Sequence, residues 1–226
     1  MLPKQEPLDN QYGADVADAI PGEVVGVLTV RPEHRELWAR AKGYLTVRDN
    51  DVHTLYAYGI AQALCAAHPE ADPDVVLPAI LLHDTGWSQV PEDLVLSAIS
   101  PTGGRADLVA WHEREGVRIA GGILDEVGTP PSVRDEILAI IAQHDSEKGS
   151  HSLNDALVKD ADKLWRLTPH GIDTVMDWFG LNREAAGRLC AWRVHDALHS
   201  DVSRAMARGF GAVASVDWWP ERVELG

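Results

Sequence analysis

His53, His83, Asp84, His112, His144 and Asp162 have the side-chain types that bind metal, and each falls on the apolar stripe of a segment with helical period. His53 lines up with Ala57, Ile60 and Leu64. His83 and Asp84 follow Val76 and Ile80. His112 and Gly116 share a face with Leu108, Ile119 and Ile123. His144 continues Val133, Ile137, Ile140 and Ile141, and Asp162 lies between Val158 and Trp165. Helical spacing turns all of these inward. A single inward histidine is usually a core residue bonded to a carbonyl, and a single inward aspartate a cap or an ion-pair partner. Several helices that each aim such a residue inward call for another explanation, because buried carboxylates are costly unless paired or bound to metal. Imidazole and carboxylate together suit zinc, iron, manganese and similar ions, and facing helices can supply them to a bundle core.

The elements that must position these residues read as helices almost throughout. Pro32, at a good first-turn position, predicts a helix to about Val47. Asp51 is the expected cap of a second helix that runs through about His68. Pro73 starts a third, which leads into His83-Asp84 and stops at Gly86. A short helix covers 91–99, and a longer one about Arg105 to Val127. Pro130-Pro131-Ser132 begin another that ends near His144. Asn154 starts the helix of Asp160 and Asp162, and further helices cover about 170–179 and 183–208. Residues 1–30, punctuated by proline and glycine, read as an irregular arm, and the tail with Trp218, Trp219 and Pro220 has no period. No repeat or useful alternating strand pattern is present.

Composition narrows the function classes. Of 226 residues, 45% are apolar and 24% charged, enough for a sizeable core. The formal net charge of −15 argues against nucleic acid as a partner, since phosphate binding needs a basic footprint. A small anionic substrate stays compatible, because bound metal reverses the local field. Two distant cysteines, Cys65 and Cys190, and no signal-like start imply a reducing, cytoplasmic setting. No apolar run reaches membrane-spanning length. The eight tryptophans, several near the C-terminus, leave two alternatives, core and a homodimer interface.

The ordered pieces His53 in "DVHTLYAYGIAQAL", His83-Asp84 in "AILLHDTGW" and Asp162 in "LVKDADKLWRL" resemble the HD-domain superfamily of metal-dependent phosphohydrolases. The resemblance covers about residues 31–180. It implies an all-α HD-domain helical bundle with the metal site in its core, with 1–30 as an arm and 181–226 as C-terminal helices and tail packed on the same domain. His112 in "WHEREGVRIAGGIL" and His144 in "IIAQHD" stand where the binuclear branches have histidines. The resemblance thus implies two divalent ions (Fe, Mn, Zn, Co or Ni). One would lie on His53, His83, Asp84 and Asp162, the other on Asp84, His112 and His144, with Asp84 bridging. Asp160, two residues before Asp162, is expected to be a supporting or capping group.

Departures from the better-known branches narrow the expectation. Trp87 stands where cyclic-dinucleotide phosphodiesterases have lysine and many mononuclear nucleotidases glutamate. "HDSEKGSHS" replaces the double histidine and Gly-Tyr-Pro element, which argues against cyclic dinucleotide hydrolysis. The implied reaction is hydrolysis of a small phosphate ester or nucleotide by a metal-bridging hydroxide oriented by Asp84. Lys163, next to a ligand, is the first choice to hold phosphoryl oxygens and is paired with Asp84 as catalytic. Arg114, Lys148 and Arg166 are further substrate-binding candidates, each more often a solvated charge. A rival is the mixed-valence diiron oxygenase, which uses the same four histidines and two aspartates. Tyr44 lies where some of these use a tyrosine, but the accompanying glutamate is absent. A second rival is a non-catalytic metal-binding regulatory module, although structural zinc sites tend to be closed and cysteine-rich.

Overall fold

Pro73 to Leu82 reads Pro-Asp-Val-Val-Leu-Pro-Ala-Ile-Leu-Leu, and every residue from Val75 to Leu82 is buried. A helix that is apolar all round belongs at the centre of a domain. Its start is set by Pro73 in the first turn and by the Asp72 carboxylate, which accepts the Asp74 N–H at 2.9 Å.

The computed structural model describes residues 16 and 18–224. We number the α-helices α1 (Arg35–Ala41), α2 (Asn50–Ala67), α3 (Pro73–Leu82), α4 (Glu92–Ala98), α5 (Ala106–Glu126) and α6 (Pro131–Ile141). They continue as α7 (Leu153–Leu164), α8 (Pro169–Phe179), α9 (Arg183–His195), α10 (Asp201–Ser215) and α11 (Pro220–Val223). The fold is all-α, with no strand among the described residues. Helices α2, α6 and α7 pack directly on α3, and α8, α9 and α10 pack in sequence behind α7. Trp87, Val90, Val95, Ala98 and Leu108 form a second, smaller apolar cluster between α4 and α5. No helix is long and apolar enough to cross a membrane among the described residues.

Three local expectations change. The helix begun at Pro32 does not reach Val47. It breaks after Tyr44, where Leu45 is drawn fully into the core and its carbonyl accepts the Asp51 N–H at 2.8 Å. Asp51 does not cap α2 from outside. It sits in the first turn, and Asp49 occupies the cap in a left-handed conformation. The helix expected over 183–208 is two helices. The reason is tertiary: the fully buried Asp160 carboxylate accepts the His199 and Ser200 N–H groups at 2.8 and 3.0 Å. Hydrogen bonds to a charged group contribute about 1.5–3 kcal/mol each. Ser200 then caps α10 through the Ser203 N–H. Asp160 therefore caps and supports, as its position suggested.

Of the arm expected over 1–30, residues 1–15 and 17 lie outside the described residues. Residues 20–30 form bends and turns, tied down where Gln62 donates to the Thr29 carbonyl at 3.0 Å.

Candidate metal centre

Five helical segments bring the histidines and aspartates to one place. His53 comes from α2. His83 and Asp84 follow the last turn of α3, His112 comes from the middle of α5, His144 from the turn after α6, and Asp162 from α7. All six are buried, with His83 and His112 at 0% exposure. The turn that carries Asp84 lies hard against α5. A Cβ built on Gly86 would overlap the His112 carbonyl, so only glycine permits this approach.

The imidazoles form two pairs through their Nε2 atoms. His53 faces His83 at 3.2 Å, and His112 faces His144 at 3.3 Å. Asp84 divides its carboxylate between them. Oδ2 lies 3.4 Å from both His53 and His83, while Oδ1 lies 3.4 Å from His144 and 3.9 Å from His112. Asp162 Oδ1 closes the first group, 3.3 Å from His53 and 3.7 Å from His83. The second group is closed by a residue sequence reasoning missed. Asp145 Oδ2 is 3.6 Å from His112 and 3.8 Å from His144. The signal was present as a second His-Asp doublet in "IIAQHD", in the turn after α6.

These donors fit metal. His83 and His144 donate Nδ1–H to the Ile80 and Ile141 carbonyls at 2.8 and 2.9 Å, which leaves each Nε2 with a lone pair aimed inward. Lone pairs that face one another need a cation between them, a proton in the metal-free protein or a metal ion. Two donors each about 2.0–2.2 Å from one ion lie about 2.8–3.6 Å apart at tetrahedral or octahedral angles. Most of the contacts match that range, and the His83–Asp162, His112–Asp84 and His144–Asp145 gaps slightly exceed it.

Electrostatics reflect the crowding. Burial pushes the Asp84 carboxyl up, but His83, His144 and His53 outweigh it and hold the group far below the usual carboxylate range. Asp162 is held low in the same way, against burial, by Arg166, His53 and His83. Burial opposes protonation of His144, yet Asp145 and Asp84 raise it to about 10. His112 goes the other way, lowered by burial and by the charge on His144.

A pocket of about 500 Å³, which includes its open mouth, leads to this cluster. His53, Asp84, Asp145 and Asp162 show on its floor. Its walls are Trp87, Trp165, Trp178, Val47, Val95 and Ile99, with Asn50, Arg48 and Arg166 as the other polar residues. Trp87 both lines and supports. Its ring stacks on His112 at 3.9 Å between centroids, and its Nε1–H donates to Asp84 Oδ1 at 3.2 Å. Trp165 meets His53 edge-on at 4.4 Å.

The cations expected from sequence separate sharply. Arg166 lines the pocket, with Nη1 3.7 Å from Asp162 Oδ2. Lys163 is not on the wall. Its Nζ donates to the Lys159 carbonyl at 3.3 Å, and burial pulls its ammonium below the ordinary value. Arg114 and Lys148 are exposed and line no part of the pocket. Tyr44 is likewise absent from the wall and 39% exposed. Glu113, beside His112, was overlooked. It is buried, and its Oε1 accepts the Asp145 and Ser146 N–H groups at 3.0 and 2.8 Å.

A family model described as the HD domain matches residues 50–167, a stretch that contains every residue of the cluster. No curated protein and no solved structure gives a significant match. Because the match spans more than half of the chain and the His-Asp cluster lies within it, the protein belongs to the HD domain family, of the metal-dependent phosphohydrolase superfamily.

Proposed function

We propose that this protein is a binuclear metal-dependent hydrolase of a small phosphate ester or nucleotide. The observation that carries the reading is the division of Asp84, one oxygen toward each histidine pair. His53, His83, Asp162 and Asp84 Oδ2 would hold one ion. His112, His144, Asp145 and Asp84 Oδ1 would hold the other. Fe, Mn, Zn, Co and Ni all accept imidazole and carboxylate donors. When bound, two such ions supply an activated water and a clamp on phosphoryl oxygens.

The chain's own residues do the rest. Trp87 Nε1–H fixes the rotation of Asp84 and so the sharing of its oxygens. Asp145 stands at the pocket side of the second group, its side chain 29% exposed, where the carboxylate oxygen not given to the ion would take a proton from the attacking water. Arg166 stays charged against burial through Asp162 and Asp145, and from the wall it faces non-bridging phosphoryl oxygens. In this role it replaces Lys163. Tryptophan, valine and isoleucine walls suit an ester with an apolar or aromatic body. The open approach to the ligands supports catalysis over a closed structural site, and the position of Tyr44 supports hydrolysis over oxygenation.

Metal analysis of anaerobically purified protein, beside a phosphate-ester screen and oxygen-uptake measurement, tests this. Two ions per chain with ester hydrolysis are expected. Iron with oxygen uptake and no hydrolysis would replace the reading with an oxygenase. A single ion unchanged in His112→Ala would end the binuclear assignment.

A further inference from the structure

Arg48 belongs to no helical stripe and is not one of the clustered histidines and aspartates. It sits in the single turn before α2 with φ 54 and ψ 46, next to Asp49 with φ 57 and ψ 31. Aspartate tolerates the left-handed region, but an arginine held there is strained. That turn puts Arg48 on the pocket wall, its guanidinium 4.0 Å over the centroid of Trp178. Its Nε and Nη1 are buried and find no acceptor among the described residues. Burial draws the guanidinium down to about 10 although Asp84 and Glu92 pull upward, so it still carries its charge at neutral pH.

Each of these features works against stability. A desolvated cation without an acceptor is unfavourable, and backbone strain persists where the surroundings impose it, commonly at functional sites. The stacking on Trp178 orients the guanidinium plane but satisfies neither nitrogen. The other wall arginine, Arg166, already faces Asp162. Arg48 is thus the pocket cation whose planar fork is free, and such a fork pairs two donors with two oxygens of one phosphoryl group.

We propose that Arg48 is a second substrate-binding residue for the phosphoryl group, beside Arg166, presented by the strained 47–49 turn and held in plane by Trp178. The proposal rests on the phosphohydrolase reading above and deepens it. The alternative is a structural arginine that serves only to stack on Trp178.

The test uses the full chain loaded with its metal and inorganic phosphate as the probe. Arg48→Asn removes the charge while tolerating the left-handed backbone. Arg48→Lys keeps the charge without the fork. Titration calorimetry gives the phosphate Kd, metal analysis the occupancy and thermal unfolding the Tm. Arg48→Asn is expected to keep the wild-type metal content and a Tm no lower than wild type. Its phosphate Kd should rise at least about tenfold, the scale of one lost charge-assisted hydrogen bond. Arg48→Lys should recover only part of that loss. A lower Tm with Kd within about twofold of wild type would overturn the proposal in favour of the structural role. If metal-loaded wild type binds no phosphate, the phosphohydrolase reading fails first and this inference with it.

Discussion

His53 and His83 are built like His112 and His144. In each pair, one ring follows a helix end and is fixed by the carbonyl three residues back, Ile80 or Ile141. The other ring sits within a helix, near the start of α2 for His53, its Nδ1 unpartnered among the described residues, and leans on a tryptophan, Trp165 or Trp87. The pairs differ in the carboxylate that completes them. Asp162 comes from the last turn of α7, 8% exposed in its side chain and backed by Arg166. Asp145 comes from a loop, 29% exposed, its backbone N–H held by Glu113 on another helix. A ligand on a rigid helix is positioned more tightly than one on a loop, and the longer gaps of the second group agree. The first group is the anchored one, and the second opens to the pocket.

The sharpest way to break the comparison is to remove what the pairs share. Asp84→Ala is expected to lose both ions and to lower activity by at least about a hundredfold to a thousandfold, the scale of deleting one preorganised group. Wild-type metal content would sink the whole assignment. Gly86→Ala attacks the same junction through packing. Its methyl group would overlap the His112 carbonyl, so the turn carrying Asp84 must part from α5. Overpacking of this kind costs about 1–3 kcal/mol or more, read as a lowered midpoint in urea. An unchanged midpoint would mean the turn moves freely and the two halves are not rigidly joined. His112→Ala acts on one side only: the second ion and most activity should go while the first ion and the helical circular dichroism stay.

Much of this centre is legible in the sequence, because His53, His83, His112 and Asp162 prolong apolar stripes whose period the helices obey. What is not legible depends on contacts from far along the chain. Ser200, a cap residue, is the one local mark of the break at 196–200, and the Asp160 carboxylate that fixes it lies about forty residues upstream. Arg48 is neither glycine nor asparagine, so its residue type gives no signal for the left-handed conformation it adopts. Asp145 and Lys163 show the limits of adjacency. Both neighbour a ligand in sequence, but the loop turns Asp145 into the pocket while the helix sends Lys163 back to its own carbonyls.

Glu113 gives a finer probe of the difference. Glu113→Ala leaves the Asp145 and Ser146 N–H groups unpaired and frees the loop. Groups that orient metal ligands typically change affinity by about 10–100-fold. The second ion should weaken by that factor in a metal titration and the first should hold. Glu113→Gln retains an accepting oxygen and should recover most of the affinity. Equal weakening of both ions would show that the loop supports the whole cluster, not its open half.

The smallest expected effect is a pH dependence confined to the metal-free protein. His144 is raised from 6.5 to about 10 by Asp145 and Asp84 against burial. A histidine raised on folding contributes stability fully present below about 6.5 and lost as pH rises through about 10. Asp84 and Asp162, held low, act oppositely: their contribution is present above the ordinary carboxylate value and lost only as pH falls well below it. The Tm of protein stripped with a chelator should therefore decline from pH 7 to 10. In the loaded protein the ion takes the place of the His144 proton, so the same interval should be nearly flat. Parallel declines in both forms would mean that His144 is not where the second ion binds.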